Sequence, residues 1–451
     1  MTLLEISGGD TAWVLASAAL VLLMTPGLAM FYGGMVRANS TLNMIMMSFV
    51  TMGTIGVLWV LYGYGLSFGD SVGGAGIIGN PTGLIGLTDA LGADAVTGTI
   101  PTLAFVAFQS AFAIIAVALV SGAVADRMTF SAWTAFTVLW GTLVYFPAAH
   151  WVFAFDGKDA DGNILTHGGW IANTLKAIDF AGGTAIHINA GIAALVMAIV
   201  LKPRIGFSAK PMRPHNMTLV MLGAGLLWFG WFGFNAGSAL GANGTASHAW
   251  VTTLVATSAA MLSWLVTERI RDGHFTSLGA ASGVVAGLVA ITPACAAVTP
   301  VGAIIVGAVA GCLCAMAVGL KFKFGYDDSL DVVGVHLVGG LTGTLLIGLL
   351  ASDKAPNAVN GLFYGGGVDQ LWRQAVGAGA VLLYSAVVTG LIGLLLKAVM
   401  KIRVAPQAEL DGIDLAEHAE VGYDLSSVRY TSYRVNQRLV IPASKPEEVN
   451  A

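Results

Sequence analysis

Two histidines lie inside stretches that are otherwise small and apolar. One is His187, in Asp179-Phe-Ala-Gly-Gly-Thr-Ala-Ile-His-Ile-Asn-Ala-Gly; the other is His336, in Asp331-Val-Val-Gly-Val-His-Leu-Val-Gly-Gly. Both runs are long enough to lie in a bilayer, where a titratable ring is costly and marks a function by default. A single buried histidine is ordinarily explained by a bond to a neighbouring helix's carbonyl. Here the pattern His-(Ile/Leu)-x-(Ala/Gly)-Gly recurs about 150 residues later, and a duplicated ring asks for more. Burial keeps both rings neutral, leaving donor and acceptor nitrogens to face each other or a permeant molecule. No third His, Cys or carboxylate shares either span, so the pair makes a poor zinc set and no metal is expected.

Aromatic residues form the second group. In Trp228-Phe-Gly-Trp231-Phe-Gly-Phe234-Asn-Ala-Gly-Ser238, Trp231, Phe234 and Ser238 fall at i, i+3 and i+7 on one helix face. A membrane-interface belt would be the plain explanation. The mixture with Asn235, Gly237 and Ser238 suits a small cavity better. Phe108-Gln-Ser-Ala-Phe112 adds two rings at i and i+4, a spacing that core packing also produces.

The elements that must hold these residues are membrane helices. Of 451 residues 56% are hydrophobic and 10% charged, against about a quarter charged in soluble domains. The net charge of -4 is spread over loops, with no basic run suited to nucleic acid. Cys295, Cys312 and Cys314 lie in apolar segments and read as packing. The glycine-rich Gly73–Gly79 stretch contains a formal G-x-G-x-x-G, but no strand precedes it, so it is no dinucleotide site. Apolar runs predict eleven spans near 11–31, 42–67, 101–123, 131–153, 181–201, 217–240, 247–267, 276–294, 301–320, 332–351 and 371–398. The least distinct boundary falls between Thr292 and Pro300. The opening residues lack a positive n-region, so the first run reads as a retained span. Thirteen Lys and Arg, from Arg37 to Arg403, fall on one side, against Lys158, Lys176, Lys354 and Arg373 on the other. That bias puts the N-terminus outside and the C-terminus in the cytoplasm, in the plasma (inner) membrane. The first ten spans divide into two fives, halves at about 11–201 and 217–351; since five is odd, the repeat is inverted and equivalent residues meet near the midplane. The fold class is therefore all-α and polytopic: a membrane domain over 1–403, with 371–398 as the extra span, and a polar cytoplasmic tail over 404–451. Spacings such as Gly283 to Gly287, Gly307 to Gly311 and Gly339 to Gly343 predict close helix packing.

Five blocks in order resemble the ammonium transporter family (Amt/Mep/Rh), in its prokaryotic Amt branch: Thr25-Pro-Gly-Leu-Ala-Met-Phe-Tyr-Gly-Gly, Asp179-Phe-Ala-Gly-Gly-Thr with His187-Ile-Asn-Ala, Gly230-Trp-Phe-Gly-Phe-Asn-Ala-Gly-Ser, Thr292-Pro-Ala-Cys, and Asp331-Val-Val-Gly-Val-His. The resemblance runs from about Asp10 to Tyr423. It implies a homotrimer with one pore per subunit, no cofactor and no enzymatic step. It also implies that Phe108, Trp231 and Ser238 form an outer recruitment vestibule, that Phe112 and Phe234 close it, that His187 and His336 line the pore, and that Asp179 supports the vestibule through hydrogen bonds. The family often has tryptophan where this chain has Phe153, in His150-Trp-Val-Phe, so either Phe153 or Trp151 supplies that wall. The tail resembles the family's regulatory C-terminus, implying a cytoplasmic PII-type partner; packing on the bundle alone is the simpler alternative.

The energetics agree with a proton being left behind. Burying an ammonium-sized ion in low dielectric costs tens of kcal/mol, whereas deprotonating it costs only ~3 kcal/mol for a pKa roughly two units above ambient. Potassium has no proton to lose. Rival readings are a membrane ammonium sensor, disfavoured by the lack of an output domain, and a Rh-like gas channel, disfavoured by Trp231 and Ser238. An intramembrane enzyme lacks any recognisable motif.

Overall fold

A computed structural model describes residues 6–92, 94–159, 161–209 and 212–423. Lys210 of the charge count and the tail beyond Tyr423 lie outside the described residues. Among the described residues ten helices are long and apolar enough to cross a bilayer: α1 (Gly8–Met35), α2 (Ala38–Phe68), α3 (Thr102–Val124), α4 (Phe130–Phe153), α5 (Gly183–Leu201), α6 (Met217–Gly237), α7 (Gly244–Asp272), α9 (Pro300–Phe324), α10 (Val333–Leu350) and α11 (Asp369–Val399). The eighth, α8 (Ser277–Ile291), is shorter and apolar, almost wholly buried, and continues as turns to Val298. The indistinct boundary thus resolves where expected: α8 ends at Ile291 and Pro300 opens α9 at a position where its missing N–H costs nothing.

Helix starts follow from local sequence. Asn216, Asn243, Thr276 and Thr299 each accept an N–H from their own first turn, satisfying donors the helix leaves free. Two of the three glycine spacings face α7, while Gly343 of the third presses on Ala290 of α8. A Cβ on Gly283 would come 2.9 Å from the Met261 Cα, one on Gly287 would come 2.6 Å from the Ala260 Cβ, and Gly307 and Gly311 press on Ala256 and Ala260. Only a missing side chain allows α8 and α9 to lie this close to α7.

The first and last described residues lie at opposite faces. Ser7 donates its N–H to the Thr99 carbonyl at 2.9 Å, on the face that carries the 69–101 and 154–180 loops. The segment after α11 reaches Arg37, Arg127 and Ile205 at the other. Two small ribbons, Val96–Thr97 with Ile100–Pro101 and Gly157–Lys158 with Ile164–Thr166, brace the first face. On the second, the short helices α12 (Pro406–Asp411) and α13 (Ile413–His418) fold back on the bundle.

The inverted repeat is legible in atomic contacts. Gly191, four residues after His187, leaves no room for a Cβ against the Leu337 backbone, while a Cβ on Gly340, four after His336, would come 3.1 Å from Ile188. Each half thus places its glycine on the residue that follows the other half's histidine. Both histidine helices open with a wide turn, Gly183–Ile188 and Val333–Leu337, a local irregularity common at functional sites.

Candidate functional site

The two rings meet. His187 Nδ1 and His336 Nδ1 are 3.3 Å apart, with ring centroids at 5.3 Å and planes at 26°. One nitrogen must donate and the other accept, so the rings hold complementary tautomers. One Nε2 is then an acceptor and the other an N–H donor. His187 Nε2 has no partner among the described residues although it is buried. It borders a chamber lined by both histidines, Trp231, Phe234, Tyr32, Leu28 and neighbouring apolar groups. The space there open to the centre of a water-sized molecule is ≈ 10 Å³, about what one such molecule needs.

Towards the 69–101 face a wider vestibule opens, ≈ 320 Å³ by the same measure. Its lining includes Phe105, Gln109, Phe112, Phe153, Phe180 and Ser238. The Phe112 and Phe234 rings stack at 4.2 Å and 26°. Phe112 belongs to the vestibule wall and Phe234 to the chamber wall. This stacked pair is therefore the partition between the two spaces. Ser238 Oγ donates to the Phe234 carbonyl at 2.8 Å. Its proton is committed, and its lone pairs are left for a donor in the vestibule.

Other sequence-predicted residues stand elsewhere than expected. Trp231 is not at the mouth: it stacks on His187 at 5.5 Å and 24°, donates Nε1–H to Thr292 Oγ1 at 2.8 Å and lines the inner chamber. Phe108 is fully buried and backs Phe112 at 4.7 Å rather than facing the vestibule. Trp151 turns away, its Nε1–H on the Ile77 carbonyl at 2.7 Å and its ring against Tyr384. Of the two candidates for that wall, Phe153 is the one lining the vestibule.

Asp179 holds the start of the His187 helix. One carboxylate oxygen accepts the N–H of Gly182 and Gly183 at 2.9 and 2.6 Å, the other those of Thr184 and Ala185 at 2.8 and 3.1 Å. It thus neutralises the donors a helix start exposes. Its counterpart in the second half is Asp328, likewise eight residues before its histidine, accepting Val333 N–H at 2.7 Å. The sequence reading passed over Asp328. Asp331, which drew notice instead, pairs with Lys321 at 2.7 Å. Gln109 and Phe180 were also missed as lining residues, and only the i, i+4, i+7 relation of Phe105, Gln109 and Phe112 could have singled out that stripe. Among the described residues no group of three His, Cys, Asp or Glu could hold a metal.

With this geometry in view, comparison with known proteins is informative. The model of the Ammonium Transporter Family matches residues 12–423. An ammonium transporter of Mycobacterium tuberculosis is 62% identical over 441 residues, covering 93% of this chain and 91% of that protein. Among solved structures, Saccharomyces cerevisiae Mep2 superposes with a TM-score of 0.80 at 31% identity, covering 89% of this chain and 91% of that one. One described as Sensor Amt Protein gives 0.82 at 30% identity, covering 91% and 98%. The match spans nearly the whole membrane region, on the same fold of eleven membrane helices: the chain belongs to the ammonium transporter family, in its prokaryotic Amt branch.

Proposed function

We propose that the chain takes up NH4+ at the vestibule, strips one proton there, and conducts NH3 past His187 and His336, with or without the proton following. The observation that carries this reading is the partition. A space with aromatic rings and the Ser238 acceptor is divided by the Phe112–Phe234 stack from a chamber sized for one small molecule. The rings of Phe153 and Phe112 would hold the cation face-on, worth ~1 to 2 kcal/mol when desolvated. Inside, the rings and the apolar wall repay only a small part of a cation's hydration. The unpartnered Nε2 of His187 offers neutral ammonia one hydrogen bond.

The vestibule face is outside and the tail is cytoplasmic, an orientation supported by the Lys and Arg bias and by the inner (plasma) membrane setting it implies. A homotrimer is the proposed assembly, and the groove between α1 and α7, lined by Trp13, Asn243, Ser247 and Trp250, is the surface it would offer a neighbouring subunit. A PII-type protein is the proposed partner at the tail face, where a cavity of ≈ 490 Å³ is lined by Arg204, Phe207, Lys321 and Phe322. The second reading, a sensor that binds ammonium without substantial flux, is favoured by the similarity to the Sensor Amt Protein.

The deciding experiment is an ammonium pulse onto proteoliposomes on a solid-supported membrane, with potassium as control, His187→Ala in parallel and internal pH followed by a dye. An ammonium-specific signal that the variant loses is the expected result. Equal flux and equal ammonium-over-potassium selectivity in the variant would sink the histidine pathway. Saturable binding with neither current nor pH change in the unaltered protein would replace transport by sensing.

A further inference from the structure

Helix α11 stands outside both halves of the repeat, yet it turns a row of polar side chains onto one of them. Gln374 and Ser385 are both fully buried, and a spacing of eleven residues puts them on one helix face, about 16 Å apart along the axis. A carboxamide within a membrane bundle is costly unless its donors and its acceptor are used. Those of Gln374 are. Oε1 accepts Ile178 N–H at 2.6 Å and Gln370 Nε2–H at 2.9 Å, while Nε2 donates to the Ile178 carbonyl at 2.7 Å and to the Thr344 carbonyl at 3.2 Å. Bonds to both the N–H and the carbonyl of one residue fix the position and the rotation of that stretch of backbone. Ile178 leads directly into Asp179, the cap of the His187 helix. Three turns further along α11, Ser385 Oγ donates at 3.0 Å to the carbonyl of Asn189, two residues past His187. His187 is thus held to α11 on both sides, and the bond to Thr344, eight residues past His336, ties in the helix that carries the other ring.

The second half is held differently at both matching positions. Asp327, nine residues before His336 as Ile178 is before His187, pairs with Arg204 at 2.8 Å, and the carbonyl of Val338, two residues past His336, accepts the Thr342 hydroxyl of its own helix at 2.7 Å. In a perfect inverted repeat the two orders of complementary tautomers would be equal in energy; a splint on one half alone makes them unequal. We infer that Gln374 and Ser385 are positioning residues for the histidine pair: from a helix that belongs to neither half, they splint the backbone on both sides of His187 and so set the contact between its Nδ1 and that of His336. The consequence for transport rests on the proposed pathway past the two rings.

The rings can be read directly, by nitrogen NMR of histidine-labelled protein in lipid nanodiscs, with the two signals assigned from His187→Ala and His336→Ala. Gln374→Met keeps the shape of the side chain and removes its bonds to Ile178 and Thr344; Ser385→Ala removes one hydroxyl. Both variants should shift the hydrogen-bonded Nδ1 signals and weaken the coupling between them. Both should also lower the maximal ammonium flux in proteoliposomes by about 3-fold to 10-fold, the factor that one hydrogen bond represents, with half-saturation unchanged because the vestibule is untouched. Ser385→Thr restores the hydroxyl and should restore both readouts. Thr389→Val is the control. Thr389 lies on the same face of α11 but accepts Trp140 Nε1–H, at 2.9 Å, so its replacement should lower the melting temperature and leave the Nδ1 signals in place. If Gln374→Met does not fold, Ser385→Ala decides alone. The inference is overturned if the Nδ1 signals of Ser385→Ala match those of the unaltered protein, or if Thr389→Val moves them as far, since α11 would then only dock on the bundle. Nδ1 signals that move in Ser385→Ala, in a protein that shows no ammonium-specific flux even when unaltered, would uphold the positioning role and bring down the transport reading instead.

Discussion

At the scale of single residues, the two capping acids show how one role can carry different charge consequences. Both stand eight residues before a histidine at a helix start, yet Asp179 is saturated by four N–H groups, while Asp328 keeps one buried oxygen, Oδ1, without a partner. Burial pushes the Asp328 carboxyl up to about 6, with Lys321 opposing and Asp331 adding to the shift. A group whose pKa is raised on folding favours the folded state most when protonated. Its contribution is therefore full below the ordinary carboxylate range and lost as pH rises through about 6. Asp328→Asn keeps an acceptor for Val333 N–H and has no charge to bury. Relative to the variant, the unaltered protein should lose ~2 to 3 kcal/mol between pH 4 and pH 7, a shift of roughly two pKa units at 1.36 kcal/mol each. Thermal melting in detergent across that range checks it, and a pH-independent difference between the two would refute it. Other residues show where sequence reading stops. Trp231 and Ser238 share a helix face, but seven residues are about 10 Å along the axis. Periodicity reports the face and is silent on depth, so it could not correct the vestibule place that the family resemblance implied for Trp231, which lines the chamber. Phe108 failed differently: the vestibule stripe of α3 is Phe105, Gln109 and Phe112, and Phe108 lies on its flank against Gly237.

At the scale of elements, the eleven helices and the inverted repeat were readable because both rest on simple periodic facts: run length against bilayer thickness, and an odd number of spans per half. The wide turns at Gly183–Ile188 and Val333–Leu337 were not, since no local composition distinguishes them from ordinary helix. What brings the histidines within 3.3 Å is the seam between α5 and α10, and its tightest point is Gly191 on the Leu337 backbone. Gly191→Ala must push that backbone away, at a cost of ~1 to 3 kcal/mol typical of overpacking. It should lower the melting temperature and reduce ammonium flux together, because the seam sets the distance between the rings. Gly379→Ala on α11 meets nothing within 4 Å and should leave both measures unchanged or slightly improved through helix propensity. Parallel melting curves and flux assays on the two variants separate seam packing from a general effect of replacing glycine.

On the whole-molecule scale, the second face is tied together by the segment after α11. Asp414 accepts the N–H of Leu42 and Asn43 at 3.0 and 2.8 Å, next to the start of α2. Glu417 accepts that of Phe130 at 2.8 Å, at the start of α4. Glu409 takes Ile205 N–H at 2.6 Å in the loop between α5 and α6, and the Arg403 guanidinium closes on it with three contacts of 2.8 to 3.0 Å. Arg37 donates to the Glu409 and Leu410 carbonyls, and Asn39 to that of Asp411. Carboxylates at helix starts are favourable both as acceptors and against the helix dipole. The tail thus caps two spans of one half and holds the loop joining the halves, beside the buried Arg204–Asp327 pair at 2.8 Å. Burial also holds the Asp414 carboxyl above its usual range, against the two N–H bonds that favour its charge. Asp414→Ala should leave the Leu42 and Asn43 amides without their partner, at ~1 kcal/mol for a lost cap. Hydrogen exchange should then quicken in the first turn of α2 by about 5-fold, the factor that ~1 kcal/mol represents, while the first turn of α6, capped by its own Asn216, keeps its rate. Exchange that quickens equally at both starts would mean that the variant loosens the bundle as a whole, and the tail would then be packing on the face without holding its individual helices.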